Sequence, residues 1–352
     1  MGKTSALAVA VFLGVAGAAL AEKSDKPSAA TQKVLEALKT LEAKPLSAGT
    51  VEQARKGVTV KDAVELVLKQ DGRSAAQEKV TRIDQRKITT STGDLPVRVY
   101  TPDGKGPFPA VVYFHGGGFV VADAMVYDAS ARAITNQARA VVISVDYRRA
   151  PENPYPAALD DAVSAYRYVH DNAAEFNIVA SKIAVAGESA GANLATTVAM
   201  RAKKEQLTMP VLQVLIYPFL DNDLKSASHK ANGDGNYLIS NQDLEWFWSK
   251  YLGEAWKKNK DPLAVPMSAK KEELAGLPPA LIITAGLDPL KDDGTSYGKK
   301  LKDAGVPVTI RNFDGVTHEF FGTGAVEPEA KQAQIEVGQA LRGAFAKAIG
   351  QL

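Results

Sequence analysis

The sequence contains no cysteine, and its acidic and basic side chains nearly balance. Without cysteine the chain forms no disulfide, has no thiol nucleophile and carries no lipid-modified cysteine. A formal net charge of +2 gives no electrostatic pull toward nucleic acid, so we expect no nucleic-acid partner. With 45% hydrophobic and 23% charged residues, the composition is that of a globular protein with a full core.

Nucleotide- and zinc-binding patterns are also missing. The sequence has no Walker lysine and no G-x-G-x-x-G loop. His318 and Glu319 do not begin a zinc-binding H-E-x-x-H, because Gly322 stands where the second histidine would be. Histidine is scarce, with four in 352 residues, which leaves few candidates for a catalytic base.

The first 21 residues have the pattern of an export signal. Lys3 supplies one positive charge, residues 6–20 are uncharged and apolar, and Ala19 and Ala21 fit the small-x-small cleavage rule. A retained membrane anchor is the alternative, but the stretch is rich in alanine and glycine and barely long enough to span a bilayer. We therefore predict a signal peptide over residues 1–21 and a periplasmic or secreted protein with no membrane span after cleavage.

A polar lead-in and a helical region follow, before any strand. Between Thr31 and about Lys69, apolar residues recur at helical spacing: Val34, Leu35, Leu38 and Leu41, then Val60, Ala63, Val64, Leu66 and Val67. Two or three amphipathic helices of this kind must cover something. They form either a cap over the main domain or an independent helical pair.

From about residue 80 onward, strands alternate with helices. The first two strands read as a hairpin around a turn at residues 91–94, and six apolar runs of the buried, parallel-sheet kind follow at Ala110–Phe114, Val141–Val145, Ile183–Ala186, Val211–Tyr217, Ala280–Thr284 and Val308–Phe313. Helical segments separate these runs. The alternation predicts an α/β fold with a doubly wound, mostly parallel sheet and helices on both faces. In such sheets the site lies at the carboxyl ends of the strands.

One long segment, about residues 220–269, interrupts this alternation. It is polar at first and then rich in aromatic residues, including Trp246, Phe247, Trp248 and Tyr251. An insertion of this length after a strand is compatible with part of a cap over the site. The alternative is that these aromatics pack a helix onto the sheet.

Ser189 is the candidate nucleophile, in Gly-x-Ser-x-Gly at residues 187–191. A run typical of a buried strand precedes it and good helix formers follow it, so the serine falls on a sharp strand-to-helix turn. Gly187 and Gly191 are needed there because the two backbones nearly touch and a Cβ would clash. By itself the pattern is weak, since it also occurs by chance in glycine- and serine-rich loops.

A serine nucleophile needs a base, which is nearly always an imidazole held by a carboxylate. In one known chain order, serine then acid then histidine, the base lies downstream of Ser189, which leaves His229 and His318. His229 sits in a polar segment, where we expect a surface imidazole. His318 follows the last predicted strand, where the base is needed, so we predict it as the base. His170 lies late in a helix, and we interpret it as structural.

The candidate acid is Asp288, which follows a strand directly, with Pro289 fixing the turn beyond it. Asp292 and Asp293 are the alternatives, but they are typical of the first turn of a helix, where carboxylates suit the helix dipole. Asp288 would hold the tautomer of His318 and stabilise its imidazolium without taking the proton.

A glycine triplet follows the strand that ends at Phe114. Gly116, Gly117 and Gly118 let backbone N–H groups approach a ligand without side chains in the way. With the N–H of Ala190, the residue after the serine, Gly116 and Gly117 would bind the oxyanion of a tetrahedral intermediate. A flexible turn or a phosphate loop is the alternative.

These motifs, in this order, resemble those of the hormone-sensitive-lipase-like esterases of the α/β-hydrolase fold. The matching stretches are His115-Gly116-Gly117-Gly118, Asp146-Tyr147-Arg148-Arg149-Ala150-Pro151-Glu152, Gly187-Glu188-Ser189-Ala190-Gly191, Asp288-Pro289-Leu290 and His318-x-Phe320. The resemblance spans about residues 80–350. It implies hydrolysis of small-molecule carboxylic esters with short to medium acyl chains, with no cofactor and no metal.

The resemblance also implies a cap built from N-terminal helices plus an insertion. The expected organisation is therefore a signal peptide at 1–21, a lead-in with cap helices at 22–75, and a hydrolase domain at 76–352 with a cap insertion at about 220–269. Two residues depart from the family pattern: Glu188 replaces an aspartate and Arg149 a leucine. Neither is a triad or oxyanion residue, and we expect Arg149 to face solvent.

The sequence thus predicts a serine esterase, and two alternatives stay open. An amidase or peptidase would use the same triad, and a non-catalytic small-molecule-binding protein would share the fold. The presence of His318 argues against the second, because receptors that resemble this family tend to lose that histidine. A homodimer is one of the oligomeric states compatible with the sequence.

Overall fold

The computed structural model describes residues 26–348, and the predicted signal peptide lies outside them. One eight-stranded sheet organises the chain, in the order β1-β2-β4-β3-β5-β6-β7-β8. Its strands are β1 (Arg82–Thr90), β2 (Gly93–Thr101), β3 (Phe108–Phe114), β4 (Val141–Val145), β5 (Ile178–Glu188), β6 (Gln213–Ile216), β7 (Ala280–Leu287) and β8 (Val308–Thr317). β2 pairs antiparallel with both β1 and β4. The other neighbouring pairs, along β4-β3-β5-β6-β7-β8, are parallel.

Helices cover both faces of this sheet. Within the described residues they are α1 (Ala29–Thr40), α2 (Val51–Arg55), α3 (Val60–Gln70), α4 (Asp128–Ala138), α5 (Ala157–Asp171), α6 (Ala190–Lys204), α7 (Ala227–Asn232), α8 (Asn241–Leu252), α9 (Lys271–Leu274), α10 (Lys291–Asp303) and α11 (Pro328–Lys347). The predicted doubly wound α/β architecture is confirmed.

The two-residue period of the strands explains the two-sided burial. In β3, Val112 and Phe114 enter the core on one face, with α5 and α6, while Val111 and Tyr113 enter the core on the other face, with α4 and α11. All four side chains are fully buried. A strand buried on both faces has no polar positions to spare, which is why these strands read as continuous apolar runs.

Several strand boundaries differ from the sequence prediction. The hairpin turn consists of Ser91 and Thr92 alone, because Thr90 already pairs with Gly93. At the carboxyl edge, β5, β7 and β8 each run several residues beyond their apolar stretches. Ladder pairing continues through these polar and glycine-containing ends, and hydrophobicity alone does not report it.

The N-terminal helices pack on one another and on the sheet domain. Val34 and Leu38 of α1 share a buried cluster with Val64 and Val67 of α3. Hydrogen bonds then join this segment to the remainder of the chain: Ser28 N to Gly315 O at 2.8 Å, Thr31 Oγ1 to Glu327 Oε1 at 2.5 Å, Ser47 N to Asp243 Oδ1 at 2.8 Å and Arg55 Nε to Val120 O at 2.8 Å. Hydrogen bonds at four separate points hold the N-terminal segment against the sheet domain.

The segment between β6 and β7 contains α7, α8 and α9. Its aromatic side chains contact the loops that leave β3 and β6. Tyr251 stacks on Phe119 with ring centroids 3.8 Å apart, and the ring centroids of Trp248 and Phe219 are 4.3 Å apart. Phe247 lies against Gly118 so closely that no Cβ would fit. α8 therefore covers the carboxyl edge of the sheet. Within residues 26–348, no helix has the length and apolar character needed to cross a membrane.

A glycine pair in α11 provides a test of this packing. Gly338 faces α4, where an added Cβ would lie 2.7 Å from the carbonyl oxygen of Gln137, whereas Gly343 on the same helix has open space around it. We expect Gly338→Ala to destabilise the protein by about 1–3 kcal/mol through overpacking. The matched variant Gly343→Ala should stabilise it by about 0.5–1 kcal/mol. Urea unfolding of both variants measures the two effects, and equal changes would contradict the packing described.

Candidate active site

The turn at Ser189 is strained and buried. The residue has φ +55° and ψ −118°, a conformation that side-chain-bearing residues rarely adopt, and it is only 4% exposed. β5 ends at Glu188 and α6 begins at Ala190, so the chain reverses within one residue. The Ser189 N–H donates to Ile216 O at 2.9 Å, which ties the turn to the neighbouring strand.

The flanking glycines make this turn sterically feasible, as predicted. A Cβ on Gly187 would overlap the carbonyl oxygen of Gly191, and a Cβ on Gly191 would overlap that of Phe114. The close approach of β3, β5 and α6 at this point therefore requires both positions to lack a side chain.

His318 lies between Ser189 and Asp288. Its Nε2 is 3.0 Å from the Ser189 Oγ, and its Nδ1–H donates to Asp288 Oδ2 at 2.8 Å. All three side chains are buried. Asp288 follows β7 and His318 follows β8, so the parallel strands deliver both residues to the edge where β5 delivers Ser189. The structure thus brings together the three residues named from the sequence.

The local chain holds Asp288 in place. Its second oxygen, Oδ1, accepts the Leu290 N–H at 2.8 Å across the turn that Pro289 begins. Asp292 and Asp293 lie in the first turn of α10, and the carboxylate that His318 Nδ1 contacts is Asp288. They bind the segment after β6 instead, since Asp292 accepts Ser228 N–H and Asp293 accepts the N–H of Leu220. Sequence reasoning missed this anchoring role.

The charge state of His318 depends on its neighbours. Burial lowers the pKa of His318, but the Asp288 carboxylate, which it contacts, raises it, with smaller contributions from Glu319 and Glu188. The net result is a pKa raised above the usual value for histidine. This arrangement stabilises an imidazolium once the ring accepts a proton.

The glycine loop lies beside the serine with free N–H groups. Among the described residues, the N–H groups of Gly116, Gly117 and Ala190 have no hydrogen-bond acceptor. Gly117 has φ +97°, and a Cβ there would overlap the Val121 carbonyl oxygen, so the loop requires glycine. Unpaired backbone donors at a buried site provide what an oxyanion needs.

Aromatic and basic side chains brace this loop. The buried His115 ring stacks on Tyr147 at 4.3 Å, and its Nδ1–H donates to Gly116 O at 2.8 Å. Tyr147 in turn donates its hydroxyl to His115 O at 2.8 Å. Burial lowers the pKa of His115, which favours the neutral ring.

Arg149 corrects an expectation, because it does not simply face solvent. It is half-buried and its Nη1 donates to the Ala122 carbonyl oxygen, just beyond the glycine loop. Arg55 of α2 acts at the same place, donating to Val120 O at 2.8 Å and pairing with both oxygens of Glu152. No sequence motif connects residues so distant along the chain, so their joint role was not predictable.

His229 and His170 have hydrogen-bond partners other than Ser189. His229 was expected at the surface, which is wrong: it is 1% exposed, in α7, with Nδ1 bonded to Ser226 Oγ at 2.7 Å. The polarity of the segment did not mean exposure, because Ser228 bonds to Asp292 and to Pro289 O and so packs the segment against the turn after β7. His170 is half-buried on α5 and contacts Asp171 at 2.9 Å, in agreement with a structural role.

The chain is similar to known hydrolases in sequence and in fold. A family profile described as alpha/beta hydrolase fold matches residues 111–322. A carboxylic ester hydrolase of Mycobacterium tuberculosis is 40% identical over 238 residues, which cover 66% of this chain and 62% of that protein. An ethyl acetate hydrolase of Pseudomonas putida is 37% identical over 265 residues, 74% of this chain and 82% of that protein. The crystal structure of a thermostable esterase from Pseudomonas putida covers 92% of this chain and 98% of its own, with TM-score 0.83 and 30% identity.

Sheet order, strand-end residues and the matched profile define an α/β hydrolase. The chain belongs to the hormone-sensitive-lipase-like family of that fold, whose members above are named as ester hydrolases. The prediction of an enzyme of the carboxylesterase class is thereby confirmed.

The contact between His318 and Asp288 gives a direct prediction. In Asp288→Asn the negative charge that raises the pKa of His318 is removed, so the pKa of His318 should fall below its wild-type value. NMR titration of the imidazole signals measures this, with His318→Gln to assign the resonance. Asp292→Asn is the matched control. That carboxylate contacts the Ser228 N–H, so its replacement should leave the titration of His318 unchanged. A shift in the control alone would mean that the wrong carboxylate has been placed beside His318.

Proposed function

We propose that the protein is a serine carboxylesterase in which Ser189, His318 and Asp288 form the catalytic triad. The observation that carries this proposal is the hydrogen-bonded series from the Ser189 Oγ through the His318 ring to Asp288, at 3.0 and 2.8 Å. These distances are within the range that proton transfer requires. Burial of all three groups keeps their interactions strong by excluding water.

In this mechanism, Ser189 Oγ attacks the ester carbonyl while His318 Nε2 takes its proton. Asp288 holds the Nδ1–H tautomer of His318 and stabilises the imidazolium. The N–H groups of Gly116, Gly117 and Ala190 donate to the oxyanion of the tetrahedral intermediate. His318 then protonates the leaving alcohol, and a water molecule activated by the same ring hydrolyses the acyl-enzyme.

Ester rather than amide hydrolysis is the better-supported reaction. The triad geometry alone serves both, because the tetrahedral chemistry is shared and an amide differs in needing stronger protonation of its leaving group. The relatives named above are ester hydrolases, which favours esters. A non-catalytic binding role is disfavoured because His318 is present and in contact with Ser189.

Replacing the nucleophile tests the mechanism. Ser189→Ala should reduce hydrolysis of p-nitrophenyl acetate by at least about 10³-fold, because the remaining groups provide only binding and oxyanion stabilisation. A fluorophosphonate probe should label the wild type and not the variant. Ser74→Ala, which alters an exposed serine, is the control for expression and handling. Undiminished turnover in Ser189→Ala would contradict the assignment.

We further propose a preference for short to medium acyl chains. The family resemblance supports it, as does the relative named for ethyl acetate, and α8 covers the glycine loop with Phe247 against Gly118. In a series of p-nitrophenyl esters, we expect kcat/KM to be highest for acetate or butyrate and to fall steeply by palmitate. The same series run against p-nitroanilides should show little amide turnover. A maximum at palmitate would contradict the preference.

A further inference from the structure

Glu188, the residue before the nucleophile, is a buried carboxylate that the triad mechanism leaves without a role. It ends β5 and is 1% exposed. Its Oε1 accepts the Tyr113 hydroxyl at 2.5 Å, and its Oε2 accepts the Tyr217 hydroxyl. Two tyrosines from the neighbouring strands β3 and β6 therefore hold this side chain in one orientation.

The Tyr217 side chain connects Glu188 to the base. Its ring lies 4.8 Å from the His318 ring, centroid to centroid, while its hydroxyl donates to Glu188. Tyr217 itself has φ +34°, an uncommon conformation for a residue with a side chain, and its N–H donates to Ile283 O at 2.7 Å. The backbone thus holds the ring between the carboxylate and the imidazole.

Every element around Glu188 contributes a polar group. These groups are Tyr113 in β3, Tyr127 just before α4, Ser130 in α4, Tyr217 directly after β6, and His318 and Glu319 in the loop after β8. Among the described titratable groups around Glu188 and its cavity, the tyrosines are donors, Glu319 and Glu78 are carboxyl groups, and His318 and Lys61 form cations. Lys61 pairs with Glu65 at 3.0 Å, so His318 is the cation that Tyr217 brings close to Glu188. Tyr127 donates its hydroxyl to Glu319 at 2.9 Å.

The charge of Glu188 is balanced between two states near neutrality. Burial raises the pKa of Glu188 to about 7, against the hydrogen bonds from Tyr113 and Tyr217, which favour the charged form. Burial also raises the pKa of both tyrosines well above their usual value, so they remain donors. When ionised, Glu188 contributes to the raised pKa of His318.

A cavity gives Glu188 a path to solvent that does not pass Ser189. Its volume is about 120 Å³, and it extends from Glu188 past Tyr127 and Ser130 to Val64 of α3. A single water needs roughly 10–15 Å³ of such space, so the cavity has room for several. Neither Ser189 nor His318 lines it.

We propose that Glu188 is a positioning residue for the triad: held by Tyr113 and Tyr217, its carboxylate stabilises the imidazolium form of His318 and exchanges its proton through the cavity behind the serine. The inference rests on the proposed function, since it concerns the step in which His318 becomes charged. It adds a second buried carboxylate to the one at Asp288, acting on the same ring without touching the reacting atoms.

The test is the pH dependence of kcat/KM in Glu188→Gln, which keeps the shape and removes the charge. In the wild type, protonation of His318 abolishes activity and protonation of Glu188 lowers it about tenfold, so the acid side of the profile should be steeper than a slope of one where both groups titrate. In the variant we expect a slope of one and a midpoint at lower pH, because His318 loses a neighbouring negative charge. The plateau should drop about tenfold, the effect of one pKa unit of imidazolium stabilisation.

Two further variants separate charge from structure. Glu188→Asp keeps the charge. Its pH profile of kcat/KM should therefore keep the steep fall on the acid side, here called the acid limb, even where the plateau at higher pH is reduced. Tyr217→Phe removes a hydrogen bond that favours the carboxylate, so the pKa of Glu188 should rise and the acid limb should move to higher pH, opposite to Glu188→Gln. Opposite shifts from two neighbouring substitutions would not arise from loosened packing.

Glu327 supplies the matched control. It is equally buried and accepts hydroxyls from Thr31 and Thr323, but it lies between α1 and the loop before α11, away from the triad. Glu327→Gln should leave the acid limb unchanged. A wild-type limb in Glu188→Gln would overturn the inference while leaving the Ser189 assignment intact; persistent activity in Ser189→Ala would instead overturn the proposed function. If Glu188→Gln fails to fold, Tyr217→Phe decides.

Discussion

The strained turn at Ser189 is the constraint on which the surrounding structure depends. A residue with a side chain at φ +55° costs of order 1–3 kcal/mol, and it persists only where its neighbours leave no alternative. Here Gly187 and Gly191 allow β5 and α6 to meet, and the Ser189 N–H bonds to Ile216 O. Because the turn holds the hydroxyl above the sheet edge, every partner must be delivered to that edge by another strand.

Parallel strands bring the partners of Ser189 to the same sheet edge, because their carboxyl ends all lie there. β7 and β8 are neighbours in the sheet, and each places one buried side chain, Asp288 or His318, directly after its last residue. Buried charges are costly unless paired and hydrogen-bonded, and each oxygen of Asp288 has a donor. The site therefore depends on the packing of helices that never contact a substrate, since that packing excludes the water that would weaken these bonds.

The fold and the meeting of Ser189, Asp288 and His318 were legible from the sequence because their signals are local. Apolar runs marked the strands, and Ser189, Asp288 and His318 each follow such a run within a few residues. What the sequence did not show was contact between distant segments. His229 looked exposed because its own neighbours are polar, yet α7 packs against the turn after β7, where Ser228 donates to Pro289 O. Arg149 and Arg55 reach one loop from segments almost a hundred residues apart, and no periodicity encodes that meeting.

The same reasoning explains why the glycine loop needs support from outside the sheet. A loop whose N–H groups must stay unpaired at Gly116 and Gly117 has few backbone bonds of its own, those from Val120 and Val121 N–H to Gly117 O. Side chains hold other carbonyl oxygens in and beside the loop, His115 and Tyr147 on one side and Arg55 and Arg149 on the other. Since Arg55 belongs to α2, the N-terminal helices affect the site through the loop's geometry. A segment that precedes the first strand thereby becomes part of what keeps backbone donors aimed at the space beside Ser189.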